Sequence, residues 1–331
     1  WKQGDRAFSR FREKRKRSGK MRSWLVMVMS VATALAVLWP GAARPVHAAS
    51  SNLDGLRRTS LALVNKDRKA HNLPPLQLDE TLNRIAQAHA EDMLARDYFS
   101  HVSPSGRTPM QRFLSAGGSK SLVLRENIFH CKGCSQPADA KGIAQLEAGW
   151  MHSPPHRANI LATGVTRYGF GLAENPSGGR YAVQDFDGPG VSQGTAANGK
   201  AIAPEEVTAL AATIVRGIRG GAAISGAPAL AKAAAASMPT GDFAKASLAA
   251  INPLSHLAPS AAWHRYRMLM GACGGCGTEV TSGDVRSFIE RWAQNGRDRQ
   301  MLADASFTGL GMAVAADGNG GKIAVAILAA D

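Results

Sequence analysis

Cysteine is scarce in this sequence: 331 residues hold four, placed as two C-x-x-C pairs. Long apolar runs are scarce too. The stretch that invites a membrane reading, residues 24–39, is 16 residues long, short of the roughly 20 that a membrane-spanning helix needs. There is no H-E-x-x-H, no phosphate loop and no dinucleotide fingerprint. Those absences remove the zinc-protease, P-loop and Rossmann readings. One G-x-S-x-G occurs, Gly190 to Gly194, but it lies in a Gly/Ser-rich stretch with no strand-to-helix elbow, so it does not mark a serine hydrolase.

Positive charge, by contrast, is abundant. The formal net charge is +14, a value that suggests polyanion partners until the charge is located. Residues 1–48 carry 11 basic and 2 acidic residues, whereas residues 49–331 carry 28 and 23. Segment 55–188 holds 16 basic against 12 acidic residues, and 204–331 holds 11 against 10. Neither balance suits a nucleic-acid partner. The basic run followed by the apolar stretch, Pro40, Gly41 and Val46-His47-Ala48 reads as a secretory signal with its cleavage site. Met21 is the expected initiator, and a secreted or periplasmic protein beginning near Ala49 is the expected product. Left uncleaved, the same segment would be the chain's membrane contact.

With 45% hydrophobic residues the remainder can bury a core, which excludes wholesale disorder. A helix is expected from Asp54 to His71, ended by Asn72-Leu73-Pro74-Pro75. Asp79 caps a second, whose buried face is Leu82, Ile85, Ala86, His89 and Met93. A third starts near Ala138, turns Ile143, Leu146 and Trp150 inward and stops at Pro154-Pro155. Glu147 reads as a solvated charge on it. The segments VTRYGFGLA and RYAVQDF form a β-hairpin, and the DGPGVSQGTAANGK stretch a Gly/Ser-rich linker over 189–203. Helices followed by paired strands give an α+β domain.

Three blocks occur together in order: YFSHVSPSG (98–106), REN (125–127) and WMHSPPHRANIL (150–161). Residues 55–188 thereby resemble the CAP superfamily of cysteine-rich secretory, antigen 5 and plant pathogenesis-related proteins. The form they most resemble is the bacterial SCP-like extracellular domain. The resemblance implies an α-β-α sandwich whose cleft is lined by two histidines and acidic residues. Residue by residue these are His101, Glu126 and His156. Ser153 stands where eukaryotic members place a second Glu, and Arg125 where a Gly precedes the first. His152 falls on the surface or the cleft rim.

Two imidazoles, His101 and His156, beside a carboxylate suit a divalent metal such as zinc. The family is known for binding more than for an agreed reaction. The implied function is therefore a non-enzymatic binding module for a metal ion, a small apolar ligand or a cell-envelope component. A metal-assisted or His/Glu hydrolase acting on peptide or envelope material is the alternative. No Ser or Cys nucleophile sits in a matching block, which disfavors a covalent route.

The C-terminal part repeats this organisation. Cys134 lies 16 residues before Trp150, and Cys276 the same 16 before Trp292. YGFGLAENPSGGRYAV has a counterpart in TGLGMAVAADGNGGKIAV. Residues 204–331 are expected to form a second, degenerate CAP-like domain. There Met268 takes the place of Glu126, RDRQML that of HRANIL, and Lys245 that of His101. Within each pair, Cys131 with Cys134 and Cys273 with Cys276, a local disulfide is the simplest state for an exported protein. A shared zinc site and a redox pair are the alternatives.

Overall fold

The computed structural model describes residues 50–134, 137–192, 200–258 and 263–331. The signal reading of residues 1–48 lies outside them. Helix α1 (Ser50–Ala70) begins four residues earlier than its apolar pattern indicates. Strand β1 (Gln77–Leu78) leads into α2 (Glu80–Ala95). Asp79 caps α2 by accepting the Leu82 N–H at 2.9 Å, satisfying a donor that the first turn leaves open. A capping box of Thr108 and Gln111 opens α3 (Pro109–Ser115), a helix absent from the sequence-based expectations. Strand β2 (Val123–Cys131) follows, then α4 (Ala140–His152), capped by Asp139. Pro154-Pro155 does stop α4, but it also starts α5 (Pro154–Ile160). Proline at the first helical position lacks only an N–H that would be unpaired anyway.

Strands β3 (Arg167–Glu174) and β4 (Arg180–Gly188) form the expected hairpin, and the sheet runs β1-β3-β4-β2. On one face Ala86, Ala90 and Met93 of α2 pack on Ile128, Tyr181 and Val183. On the other, α1 and α4 bring Val64, Leu146 and Trp150 against Tyr168, Phe170 and Phe186. That is an α-β-α sandwich. Gly169 and Gly171 let α2 approach β3, since a Cβ on either would strike its backbone at Leu82 and Ala86.

The same order of elements follows: α6 (Pro204–Ile218), β5 (Ser225–Gly226), α7 (Pro228–Ala236), β6 (Arg265–Cys273), α8 (Ser282–Gln294), α9 (Gly296–Ala303), β7 (Gly309–Ala316) and β8 (Lys322–Ala330). Three short 3-10 turns between 243 and 256 replace α3. The second sheet runs β5-β7-β8-β6, the order of the first. Equivalent indoles fix the register. Trp150 Nε1 donates to the Ile128 carbonyl at 3.3 Å and Trp292 Nε1 to the Met270 carbonyl at 3.2 Å. Both pairs differ by 142 positions (292 − 150 and 270 − 128). Cys131 opposite Arg180 and Cys273 opposite Lys322 keep that offset.

Both cysteine pairs are local disulfides, Cys131–Cys134 and Cys273–Cys276, with Cα atoms 6.1 Å apart in each. The second loop also forms the seam with the first half. Gly275 N–H donates to Ser121 O at 2.7 Å and Gly277 N–H to Pro189 O at 2.8 Å. Gly190 bridges Cys276. Gly274 lies so close to the Lys120 carbonyl that a Cβ would collide; its counterpart in the first half is Lys132. Segment 189–203 is anchored at both ends. Ser192 Oγ donates to Glu279 O at 2.6 Å and accepts from buried Lys322 Nζ at 3.0 Å. Ala201 bridges Thr281. Residues 193–199 lie outside the described residues.

Candidate binding cleft

Glu126 on β2 is 3% exposed at its side chain, and both its oxygens are engaged. Nδ1 of His101 lies 2.7 Å from Oε1, and the Arg112 guanidinium donates to Oε2 at 2.5 Å. Arg112 also donates to the His101 carbonyl at 2.9 Å. α3 therefore ties the loop that carries His101 to the strand that carries Glu126. Burying a carboxylate is costly unless charge and hydrogen bonds compensate; the guanidinium supplies both. His101 itself is 48% exposed. With Nδ1 occupied by Glu126, its Nε2 is the ring atom left to meet a ligand.

His89 on α2 holds the same loop from beneath. Its Nε2 lies 3.0 Å from the Ser100 carbonyl and its Nδ1 3.4 Å from the Tyr98 hydroxyl. Burial holds its pKa below the ordinary value, although Glu126 pulls the other way. A neutral ring donates from Nε2 to Ser100, while the Tyr98 hydroxyl gives its proton to Asp92 Oδ2 at 2.5 Å. Across β2, Glu126 faces Asp185. Asp185 is fully buried, and first burial, then the Glu126 charge, push its carboxyl well up.

His156 lies on α5, partly buried. Burial first, and then the nearby His101, lower its pKa. The fold thus brings His101, Glu126 and His156 to one edge of the sheet. Ser153 caps the junction of α4 and α5 through its backbone. His152 is exposed, with Nδ1 2.6 Å from the Ala148 carbonyl. Phe99 and Val102 flank His101 and are 52% and 42% exposed.

Glu147 departs from its sequence reading. It is 3% exposed, turned inward with Ile143 and Trp150, and burial pushes its carboxyl up to about 7. Its position four after Ile143 and three before Trp150 was the available signal. Arg112 had no such signal, because α3 itself was not foreseen.

For a metal, the residues offer two imidazoles. Glu126, with both oxygens engaged, serves to orient His101. Among the described residues no cluster of three or more His, Cys, Asp or Glu is arranged to hold an ion, so a cation here would take its other ligands from water or a bound molecule. None of the described helices is long and apolar enough to cross a membrane.

Residues 61–186 match the cysteine-rich secretory protein family, CAP. Residues 61–186 are a CAP domain. Over 129 residues the chain is 35% identical to the YkwD protein of Bacillus subtilis (strain 168), covering 39% of this chain and 47% of that protein. It is 32% identical over 126 residues to the B. subtilis membrane protein YlbC, covering 38% and 32%. An extracellular protein with an SCP domain from Bacillus anthracis str. Ames is 30% identical over 40% of each chain, with a TM-score of 0.33. The chain thus spans less than half the length of these relatives. In the second half, the offset of 142 places Met268 opposite Glu126 and Asp298 opposite His156. Lys245, the expected counterpart of His101, lies exposed 3.8 Å from Asp242. None of the CAP domain's three cleft residues recurs there.

Proposed function

We propose that the chain is an exported, non-enzymatic binding protein whose CAP domain takes a divalent metal ion such as zinc, or a small apolar ligand, at His101 and His156. The observation that carries this reading is the clamp on Glu126. A buried carboxylate held by Arg112 orients the His101 ring through Nδ1 and leaves Nε2 turned toward a ligand, the usual service of a carboxylate to a ligating histidine. Ser153 lies at the rim. Exposed Phe99 and Val102 give an apolar ligand or a cell-envelope component its contact surface. The basic and apolar N-terminal segment supports export, to be checked by N-terminal sequencing of secreted protein.

Zinc titration of the wild type beside His101→Ala and His156→Ala tests the site. Saturable binding lost in both variants supports it, and unchanged binding in both removes it. Envelope digestion by the wild type that vanishes in both variants would replace the binding reading with a His/Glu or metal-assisted hydrolase.

A further inference from the structure

Behind the cleft, on the α4 face of the sheet, buried side chains are linked in a fixed direction. Gln184 Nε2 donates to Glu147 Oε2 at 2.7 Å. That fixes the Gln184 amide so that its oxygen accepts from Asn127 Nδ2 at 3.1 Å. Asn127 Nδ2 also donates to the His156 carbonyl at 3.2 Å. Asn127 Oδ1 accepts from Asn159 Nδ2 at 2.9 Å, and Asn159 Nδ2 donates to the Glu126 carbonyl at 3.1 Å. An amide can be turned end for end at no cost unless a neighbour can only accept or only donate. Glu147 supplies that constraint at one end and two backbone carbonyls supply it at the other.

The second half of the chain shows that the fold does not need this network. At the offset of 142, Glu147 becomes Ile289, Asn127 becomes Leu269, Gln184 becomes Ala326 and Asn159 becomes Met301. Strands β6 and β8 keep the register, with Leu269 opposite Ala326 as Asn127 is opposite Gln184. Ile289, Leu269 and Ala326 are buried in an ordinary apolar core. The polar chain is absent where Glu126 and His156 are absent. Among the described residues Glu147 Oε1 meanwhile meets no hydrogen-bond partner, a cost that stability alone does not explain.

We propose that Glu147 is a positioning residue. Through Gln184 it anchors the far end of an amide relay in which Asn127 and Asn159, oriented by the His156 and Glu126 carbonyls, tie those two backbones to each other. The relay needs only an acceptor at Glu147, which its carboxyl provides at Oε2 in either charge state. It rests on the proposed binding role for its effect on a ligand, but not for its existence.

The test compares the full chain with Glu147→Ile, the residue of the second half, and with Glu147→Gln, which keeps an acceptor. Gln184→Ala, again the second-half residue, breaks the next link should Glu147→Ile fail to fold. Two readouts are taken: the side-chain amide NMR signals of Asn127 and Asn159, and the affinity for zinc ion alone. Glu147→Ile and Gln184→Ala are expected to move both amide signals and weaken zinc binding about ten-fold, the scale of a residue behind a metal ligand. Glu147→Gln is expected to stay within about two-fold of wild type on the same scale. Unmoved amide signals in folded Glu147→Ile or Gln184→Ala would overturn the relay. Moved signals with unchanged zinc affinity would overturn its hold on the cleft. Should the wild type not bind zinc, the binding role falls and the amide signals alone decide, movement supporting the relay and its absence refuting it.

Discussion

Arg112 Nη2 and Glu126 Oε2 meet at 2.5 Å, with the two side chains 11% and 3% exposed. The pair joins a helix invisible in the apolar pattern to the strand that carries the REN block. Removing one member strands the other, which typically costs about 3 kcal/mol or more for a buried pair. Arg112→Met is therefore expected to lower stability by about that amount in urea denaturation. Adding Glu126→Met, which copies Met268, should recover part of the loss. A double variant no more stable than the single one would contradict this account of the pair.

Glu147 makes stability depend on pH in a direction opposite to that of an ion-paired acid. Burial raises its folded pKa from an ordinary 4.5 to about 7. Between those values the folded state keeps a proton that the unfolded chain has lost. Its contribution is fully present below about pH 4.5 and is lost as pH rises through about 7. The change is at most about 3 kcal/mol. Glu147→Gln should flatten this slope in denaturation curves at pH 5 and pH 8. An unchanged slope would show that Glu147 does not titrate between them.

The seam predicts an asymmetry between the C-x-x-C loops. Gly274→Lys, which copies Lys132, would drive a side chain into the Lys120 carbonyl. It is expected to cost about 1–3 kcal/mol, as overpacking does. Lys132→Gly, at an exposed position, should stay within about 0.5 kcal/mol of wild type. Chemical denaturation separates the two, and equal losses would refute the seam.

Much of the first half was legible in its sequence, for reasons that can be named. Helix α2 was readable because its cap and its apolar period agree, and the hairpin because the turn residues ENPSGG separate two runs rich in strand-forming residues. Residues that need a partner from elsewhere in the chain were not. His89 was placed on a buried face, but its support of Ser100 depends on a loop 11 residues away. Pro154 and Pro155 carry two meanings, stopping one helix and starting the next, and only the first was read. The cleft residues came from the three blocks; Arg112 and the relay came from the fold.

The glycines of the Cys273–Cys276 loop give the chain a polarity. A first-half unit presents Lys132 where the seam demands a residue without a side chain, so it cannot occupy the second position. The halves share an architecture but are not interchangeable parts. Appending a copy of the first half in place of the second would not reproduce the joint, because the chemistry of a single loop distinguishes them.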